Sequence, residues 1–369
     1  MISLENLTEE NLIAVSRSLQ LNNIAVLERM FHAFILLDRL TETGIDFVFK
    51  GGTSVLLHMP NPKRLSVDID IVCTAEVKDF EKALTDVVCR NPPFLRYEKL
   101  NRGAYRQPKR RHYKFFYPTK YSPSTGELFI LLDVVEEKCP ILNVETRKIT
   151  IPFMKQTGED TLVRTPCAEA LLADKLTAFA PHTIGVPFRR GKTISETQEH
   201  QVFKQLFDIG QFPLDKMNLD IVRENYFSIA EAEASFKADK FTPKEALLDT
   251  IGVAFDIACL DLPRKTFTEE PLLRSGIAKL QGDLIHGERF DFRKAKQISA
   301  QTACLAAALL TNLEFPFFAQ TPEIIEELRM NRFSSAAGIL DKLKRTNIET
   351  YWYWYNIKQM LPEWEPVII

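Results

Sequence analysis

A chain of 369 residues with 45% hydrophobic and 26% charged content carries enough apolar material for two cores and is too apolar for a disordered chain. No run of about 18 apolar residues occurs, so no membrane span is expected, and the opening Met1-Ile2-Ser3-Leu4-Glu5-Asn6 lacks the basic and apolar regions of a secretory signal. The net charge of −2 excludes a uniformly basic surface, and six scattered cysteines (Cys73, Cys89, Cys139, Cys167, Cys259, Cys304) without close pairs read as reduced thiols of a cytoplasmic protein, not as a disulfide framework or zinc site.

Along the chain, Asn11 to Leu40 repeats Val26, Met30, Phe34, Leu37 and Leu40 at helical spacing and predicts a helical entry. Asp46 to Lys50 reads as a short apolar strand, Phe47-Val48-Phe49. It must stop at Gly51-Gly52, because consecutive glycines leave regular structure and can take positive φ. Thr53 or Ser54 is then expected to cap a helix carrying Val55, Leu56 and Leu57, and the free N–H groups of the turn suit an anion such as a triphosphate. Leu65 to Cys73 alternates in character, so Asp68 and Asp70 are expected to project from one face of a second strand. Two like charges held that close need a cation, and two hard oxygen donors with substrate phosphates are what Mg²⁺ accepts. A metal pair so held activates an attacking hydroxyl and stabilises a leaving pyrophosphate. Alone, the glycine pair is a plain turn and Asp-x-Asp a solvated strand face. A separation of sixteen positions from Gly52 to Asp68, room for turn, short helix and loop, joins them into one candidate site.

Asp79 to Val88 follows as a helix. Between Arg96 and Lys114 eight basic residues (Arg96, Lys99, Arg102, Arg106, Lys109, Arg110, Arg111, Lys114) face only Glu98. Tyr97, Tyr105, Tyr113, Phe115 and Phe116 interleave with them, a pattern suited to RNA phosphate contact and base stacking, or else a solvated charge run. Leu128 to Val135 is an apolar strand interrupted once, by Asp133. A lone Asp there is costly unless paired, ligated or at the strand end, which leaves a third metal ligand and a strand-terminal carboxylate as alternatives. Residues 45 to 150 thus form a small mixed sheet.

After Thr165 only helical periodicity remains, with long one-sided stretches at Lys244 to Leu260 and Ala295 to Leu313. Lys175, between Leu171 and Phe179, borders a buried face; its stem covers apolar surface, or its ammonium serves a phosphate. Asp208 is either a polar residue near a helix end or a partner of Lys175. Arg189-Arg190-Gly191-Lys192 is a second basic cluster, an RNA contact or a solvated loop. The aromatic run Tyr351-Trp352-Tyr353-Trp354-Tyr355, with Trp364, would point all round a helix and is read mostly as packing. Breaks are expected near Pro213, Pro263 and Pro271, which suggests domains at 1–215 and 216–369.

The run Phe-Lys-Gly-Gly-Thr-Ser at 49–54, followed by Arg64-x-Ser66-x-Asp68-Ile69-Asp70, resembles the opening of the polymerase-β-type nucleotidyltransferases, and specifically the AbiEii/AbiGii toxin family. Ala173-Asp174-Lys175-Leu176 resembles that family's lysine-bearing helix. Lys204-Gln205-Leu206-Phe207-Asp208-Ile209 resembles the segment after it, without its basic-acidic start. The resemblance covers roughly residues 45 to 212. It implies an α+β fold, a polymerase-β-like core with a small mixed sheet followed by a mostly helical C-terminal bundle.

The resemblance implies transfer of a nucleoside monophosphate from an NTP to RNA, with the tRNA 3′ end as the acceptor, in a toxin–antitoxin or abortive-infection setting with a cognate antitoxin. In that scheme Asp68, Asp70 and Asp133 hold two Mg²⁺, Gly51, Gly52, Thr53 and Ser54 hold the phosphates, and Arg64 and Ser66 fix the approach to the carboxylate strand. Lys175 grips the triphosphate and Asp208 orients it or assists deprotonation of the acceptor. Lys109, Arg110, Arg111, Lys114, Arg189 and Arg190 contact RNA. Transfer to a protein or small-molecule hydroxyl, and a catalytically silent binding protein on the same scaffold, stay open at this point.

Overall fold

The computed structural model describes the chain except residues 22, 91, 101–108, 122–125, 190–195, 238, 263–267, 334 and 367–369. Arg102, Arg106, Tyr105, Arg190, Gly191 and Lys192 therefore lie outside the described residues. The chain forms two compact units, Met1–Leu171 with Asp283–Glu288, and Leu172–Gly282 with Arg289–Ile369. The expected division at residue 215 does not coincide with any of the three seams, at 171/172, 282/283 and 288/289. The first seam falls inside a continuous helix, where composition gives no sign of it.

In the first unit the expected N-terminal helix is two helices, α1 (Glu9–Ser18) and α2 (Ile24–Glu42). Gln20 at φ 54° reverses the chain between them, and the Asn23 side chain accepts the Ala25 N–H to restart the helix. Strands β1 (Val48–Lys50), β2 (Ile69–Val72), β3 (Arg96–Lys99), β4 (Arg110–Pro118) and β5 (Glu127–Val135) form one sheet in the order β1-β2-β5-β4-β3. β2 and β5 run parallel and the other neighbours antiparallel, so the sheet is mixed as expected. Helix α3 (Gly51–Val55) follows β1 directly and α4 (Val77–Arg90) follows β2. A separate ribbon pairs β6 (Val144–Lys148) with β7 (Leu162–Pro166).

Strand alternation gives the sheet two unlike faces. Phe49, Ile69, Ile71, Tyr113, Phe115, Tyr117, Ile130, Leu132 and Val134 are fully buried, with α2 and α4 against them. His32 of α2 stacks on Tyr117 with ring centroids 3.6 Å apart, and Phe80 of α4 meets Tyr113 at 5.8 Å. The opposite face carries the half-buried Lys50, Asp70, His112, Lys114, Phe116, Phe129, Leu131 and Asp133. Burial on one face fixes register, because a one-residue slip would invert every side chain.

The second unit begins within α5 (Ala168–Ala178) and is helical. It contains α6 (Glu199–Ile209), α7 (Leu219–Ser235), α8 (Pro243–Ala258), α9 (Glu270–Leu280), α10 (Phe292–Thr311), α11 (Pro322–Met330), α12 (Leu343–Thr346) and α13 (Ile348–Met360). α10 is the axis, packing on α6, α8 and α13. A capping box between Thr242 and Glu245 starts α8, an arrangement worth about 1 kcal/mol. Tyr351, Tyr353 and Trp354 are buried, so the aromatic run serves packing as read. Among the described residues no helix is long and apolar enough to cross a membrane. All six cysteines are free; Cys73, Cys259 and Cys304 are buried and Cys89 is exposed.

Candidate active site

The site begins at the end of β1. Lys50 closes the strand and Gly51, at φ +80°, turns the chain in one residue into α3. A side chain at 51 would be blocked twice. The φ is one that L residues rarely adopt, and a Cβ there would lie 2.2 Å from Asp70 Oδ2. The glycine backbone is thereby laid against the Asp70 carboxylate.

Thr53 and Ser54 do not cap the helix as expected but lie inside it, because the helix starts at Gly51. Both are fully buried. The Ser54 hydroxyl donates to the Gly51 carbonyl at 2.8 Å, so it braces the turn from within. The Thr53 hydroxyl donates to the Asp68 carbonyl at 2.5 Å and lies 2.9 Å from the Ser66 hydroxyl, tying the turn to the carboxylate strand. Arg64 is 6% exposed and donates to the Leu65 carbonyl at 3.0 Å, so it stiffens the same approach from within.

Asp68 stands exposed one residue before β2, and Asp70 lies half-buried within it. Across the parallel pair, Asp70 is the register partner of Asp133. The same level continues outward to Lys50 on β1 and to His112 on β4. His112 Nδ1 is 2.5 Å from Asp133 Oδ1. Asp133 is therefore neither a strand-terminal carboxylate nor isolated; it faces a second carboxylate on one side and an imidazole on the other.

The donor set suits a hard divalent cation: carboxylates on adjacent strands, a third just before one of them, and a glycine that leaves the space beside Asp70 clear of side chain. Among the described residues no group of three or more His, Cys, Asp or Glu is drawn together around one point. A cation would be held by Asp70 and Asp133, with Asp68 completing the set.

The second unit holds the other expected pair. Lys175 on α5 and Asp208 on α6 are 3% and 2% exposed, and Lys175 Nζ lies 3.3 Å from Asp208 Oδ2 and 3.1 Å from Gln205 Oε1. Asp208 is thus the ion-pair partner of Lys175, and the ammonium is buried with the stem, not carried out to solvent.

The expected RNA strip is corrected in part. Alternation along β4 puts Arg111 on the buried face with Tyr113, Phe115 and Tyr117. Arg111 is 3% exposed, pairs with Glu136 at 2.8 Å and lies 4.8 Å over the Phe80 ring, so it is a core cation and not an RNA contact. The buried Tyr113 and Phe115 are equally closed to stacking bases. The local excess of charge also shrinks in space. Lys99 pairs with Glu81 at 2.8 Å, and Arg96 with Glu127 at 2.7 Å and Glu98 at 3.2 Å. Lys109, Arg110 and Arg189 are exposed, while Lys114 lies 4.1 Å over the Phe129 ring. Two residues at the site were missed, Lys50 and His112. His112 shares its parity with Lys114 and Phe116, a signal that the strand pattern contains.

A mixed sheet that pairs carboxylates beside a glycine turn, ahead of a helical unit, is the architecture of a nucleotidyltransferase, and nucleotidyl transfer is the activity of this enzyme class. The family model "Nucleotidyl transferase AbiEii toxin, Type IV TA system" matches residues 35–274, and the chain belongs to that family. Its solved neighbours are distant. JHP933 from Helicobacter pylori is 14% identical with a TM-score of 0.39, over 85% of this chain and 95% of that one. A second Helicobacter pylori protein, provisionally assigned as a nucleotidyltransferase, is 14% identical with a TM-score of 0.38, over 78% and 94%. An antigenic nucleotidyltransferase-like protein from Paracoccidioides brasiliensis is 15% identical with a TM-score of 0.33, over 55% and 86%. No curated protein sequence matches the chain.

Proposed function

We propose that this toxin-family enzyme transfers a nucleoside monophosphate from an NTP to an RNA acceptor end, the tRNA 3′ end first among candidates, with two Mg²⁺ held by Asp70, Asp133 and Asp68. The observation that carries the proposal is the register pairing of Asp70 with Asp133 beside Gly51. When bound, the metal pair supplies charge neutralisation for the phosphates and acidifies the acceptor hydroxyl.

The chain's own residues supply the rest. Gly51 and Gly52 let backbone approach the phosphates, and at Gly51 a side chain would collide with Asp70. Thr53 and Ser66 lock the turn to the Asp68 carbonyl, which limits drift of the carboxylates. Within the second unit Asp208 pairs with the Lys175 ammonium at 3.3 Å and limits its movement. Lys109, Arg110 and Arg189 are the exposed cations proposed to meet RNA phosphates, and Lys114 joins them from the open sheet face. A cognate antitoxin and a cytoplasmic site of action follow from the family setting.

Transfer to a protein hydroxyl is the second reading, favoured by the burial of Arg111, Tyr113 and Phe115, which narrows the basic surface. The deciding experiment incubates the enzyme with total bacterial RNA, Mg²⁺ and each α-labelled NTP, with Asp70→Asn as control. Label in a tRNA-sized band that is absent from the control supports RNA transfer. Label in protein instead supports the second reading.

A further inference from the structure

The open face of the sheet presents four ionisable side chains at one level, Lys50, Asp70, Asp133 and His112, on β1, β2, β5 and β4 in turn. Asp70 and Asp133 are the carboxylates of the scheme above, and Lys50 adjoins its glycine turn. The fourth has no part in it, yet its contact with Asp133 at 2.5 Å is among the shortest that any carboxylate of this unit makes. The side chains of His112 and Asp133 are 16% and 28% exposed, so the contact is shielded from full solvent competition. Its register is fixed along the whole length of β4 and β5, which pair continuously from Arg110–Val135 to Pro118–Glu127.

A carboxylate oxygen only accepts, so the imidazole nitrogen facing it carries the hydrogen. We propose that His112 is the positioning residue of Asp133: its Nδ1–H donates to Oδ1, fixes the rotation of the carboxylate, and leaves Oδ2 to a divalent cation. The physical need is specific to this site. Asp70 and Asp133 stand opposite each other on neighbouring strands, and without an anchor their mutual repulsion would rotate the two groups apart. The Nδ1–H bond holds one of them in place in the absence of metal, so that cation binding does not have to supply that ordering. Partners of this kind behind a ligating group typically govern metal affinity by about 10–100-fold.

The inference rests on Asp133 as a cation-holding residue, and the test separates the two. Mn²⁺ affinity is measured by EPR titration of free ion with the full chain, comparing wild type, Asp133→Asn, His112→Ala, His112→Asn and His112→Gln. An asparagine amide nitrogen occupies nearly the place of imidazole Nδ1, whereas a glutamine amide reaches the place of Nε2. The expected pattern is weakening by about tenfold or more in His112→Ala and His112→Gln, with His112→Asn staying within about threefold of wild type. Should Asp133→Asn weaken binding while all three His112 variants match wild type, the positioning role is overturned. It is equally overturned if His112→Asn is as weak as His112→Gln. If Asp133→Asn leaves affinity unchanged, the reading of Asp133 as a ligand falls and takes the inference with it. Should His112→Ala fail to fold by circular dichroism, the Asn and Gln pair decides alone.

Discussion

Gly51 and Asp70 approach so closely that a single methyl group on the first would fall 2.2 Å from a carboxylate oxygen of the second. Gly51→Ala should therefore lose stability by about 1–2 kcal/mol from its positive φ alone, and should also push Asp70 aside. A displacement of about 1 Å in such a site costs on the order of 10²-fold in rate. Gly126→Ala is the matched control, since it has φ +65° but nothing within 4 Å. The urea midpoint should fall at least as far in Gly51→Ala as in Gly126→Ala, and nucleotidyl transfer should fall only in Gly51→Ala; equal activities would contradict the close packing.

The buried Lys175–Asp208 pair predicts a sharp asymmetry between single and double substitution. Lys175→Met or Asp208→Leu alone strands a charge in the α5–α6 core and should cost about 3–5 kcal/mol. The double variant should recover much of that loss, because it removes both desolvated charges together. Denaturant melts in a double-mutant cycle report the coupling directly, and additive losses would argue against a direct ion pair.

Arg111 and Lys109–Arg110 should separate cleanly although they are neighbours. Lys109→Ala/Arg110→Ala should leave the melting temperature within a few degrees and flatten the salt dependence of RNA binding, by up to about 1.4 in log–log slope if each residue meets a single-strand phosphate. Arg111→Met should instead destabilise by about 3 kcal/mol, since it leaves Glu136 without its 2.8 Å partner, and should not change the slope. Filter binding across a salt series, beside thermal melts, distinguishes the two outcomes.

Two histidines set opposite pH limits. His182 bridges Asp249 at 2.7 Å and Glu269 at 2.8 Å, and these carboxylates raise its pKa to about 10. A raised histidine contributes fully below its unfolded value of about 6.5 and loses that contribution as pH climbs toward 10. The melting advantage of wild type over His182→Gln should shrink over that window. With 46% of the side chain in water, screening keeps the advantage small. His32, buried under Tyr117, is lowered to about 4 by desolvation. It stays neutral in the fold while the unfolded chain takes up a proton below about 6.5, so stability falls from pH 6.5 toward 4. His32→Phe should flatten that acid limb in thermal melts.

What the sequence disclosed follows its periodicities. Gly51-Gly52, Asp68 and Asp70 stood out because turn and strand chemistry are local, and Asp133 because one charge interrupted an apolar run. The parity of β4 puts His112 on the open face, but its meeting with Asp133 depends on how β4 pairs with β5, a long-range register that the strand's own sequence does not contain. Arg111 was misread for a nearer reason. Charge on a strand belongs to a face only through its phase, and Arg111, Tyr113, Phe115 and Tyr117 share one parity and hence one face. Its partner Glu136, like Glu81 and Glu127 for the other cations, comes from neighbouring elements. The seam inside α5 left no trace because a helix crossing between two compact bodies is uninterrupted in sequence.

Asp283–Glu288 returns to the first unit from far downstream: Ile285 is fully buried in its core, its N–H donates to the Lys63 carbonyl, and the His286 N–H donates to that of Leu19. During synthesis the amino-terminal sheet accordingly lacks Ile285 and these two hydrogen bonds until more than a hundred residues beyond its last strand have been added. A chain that ends before Asp283 lacks the same contacts in the unit that holds the carboxylates. For an enzyme of a toxin family, this ties completion of the dangerous half to near-completion of the polypeptide.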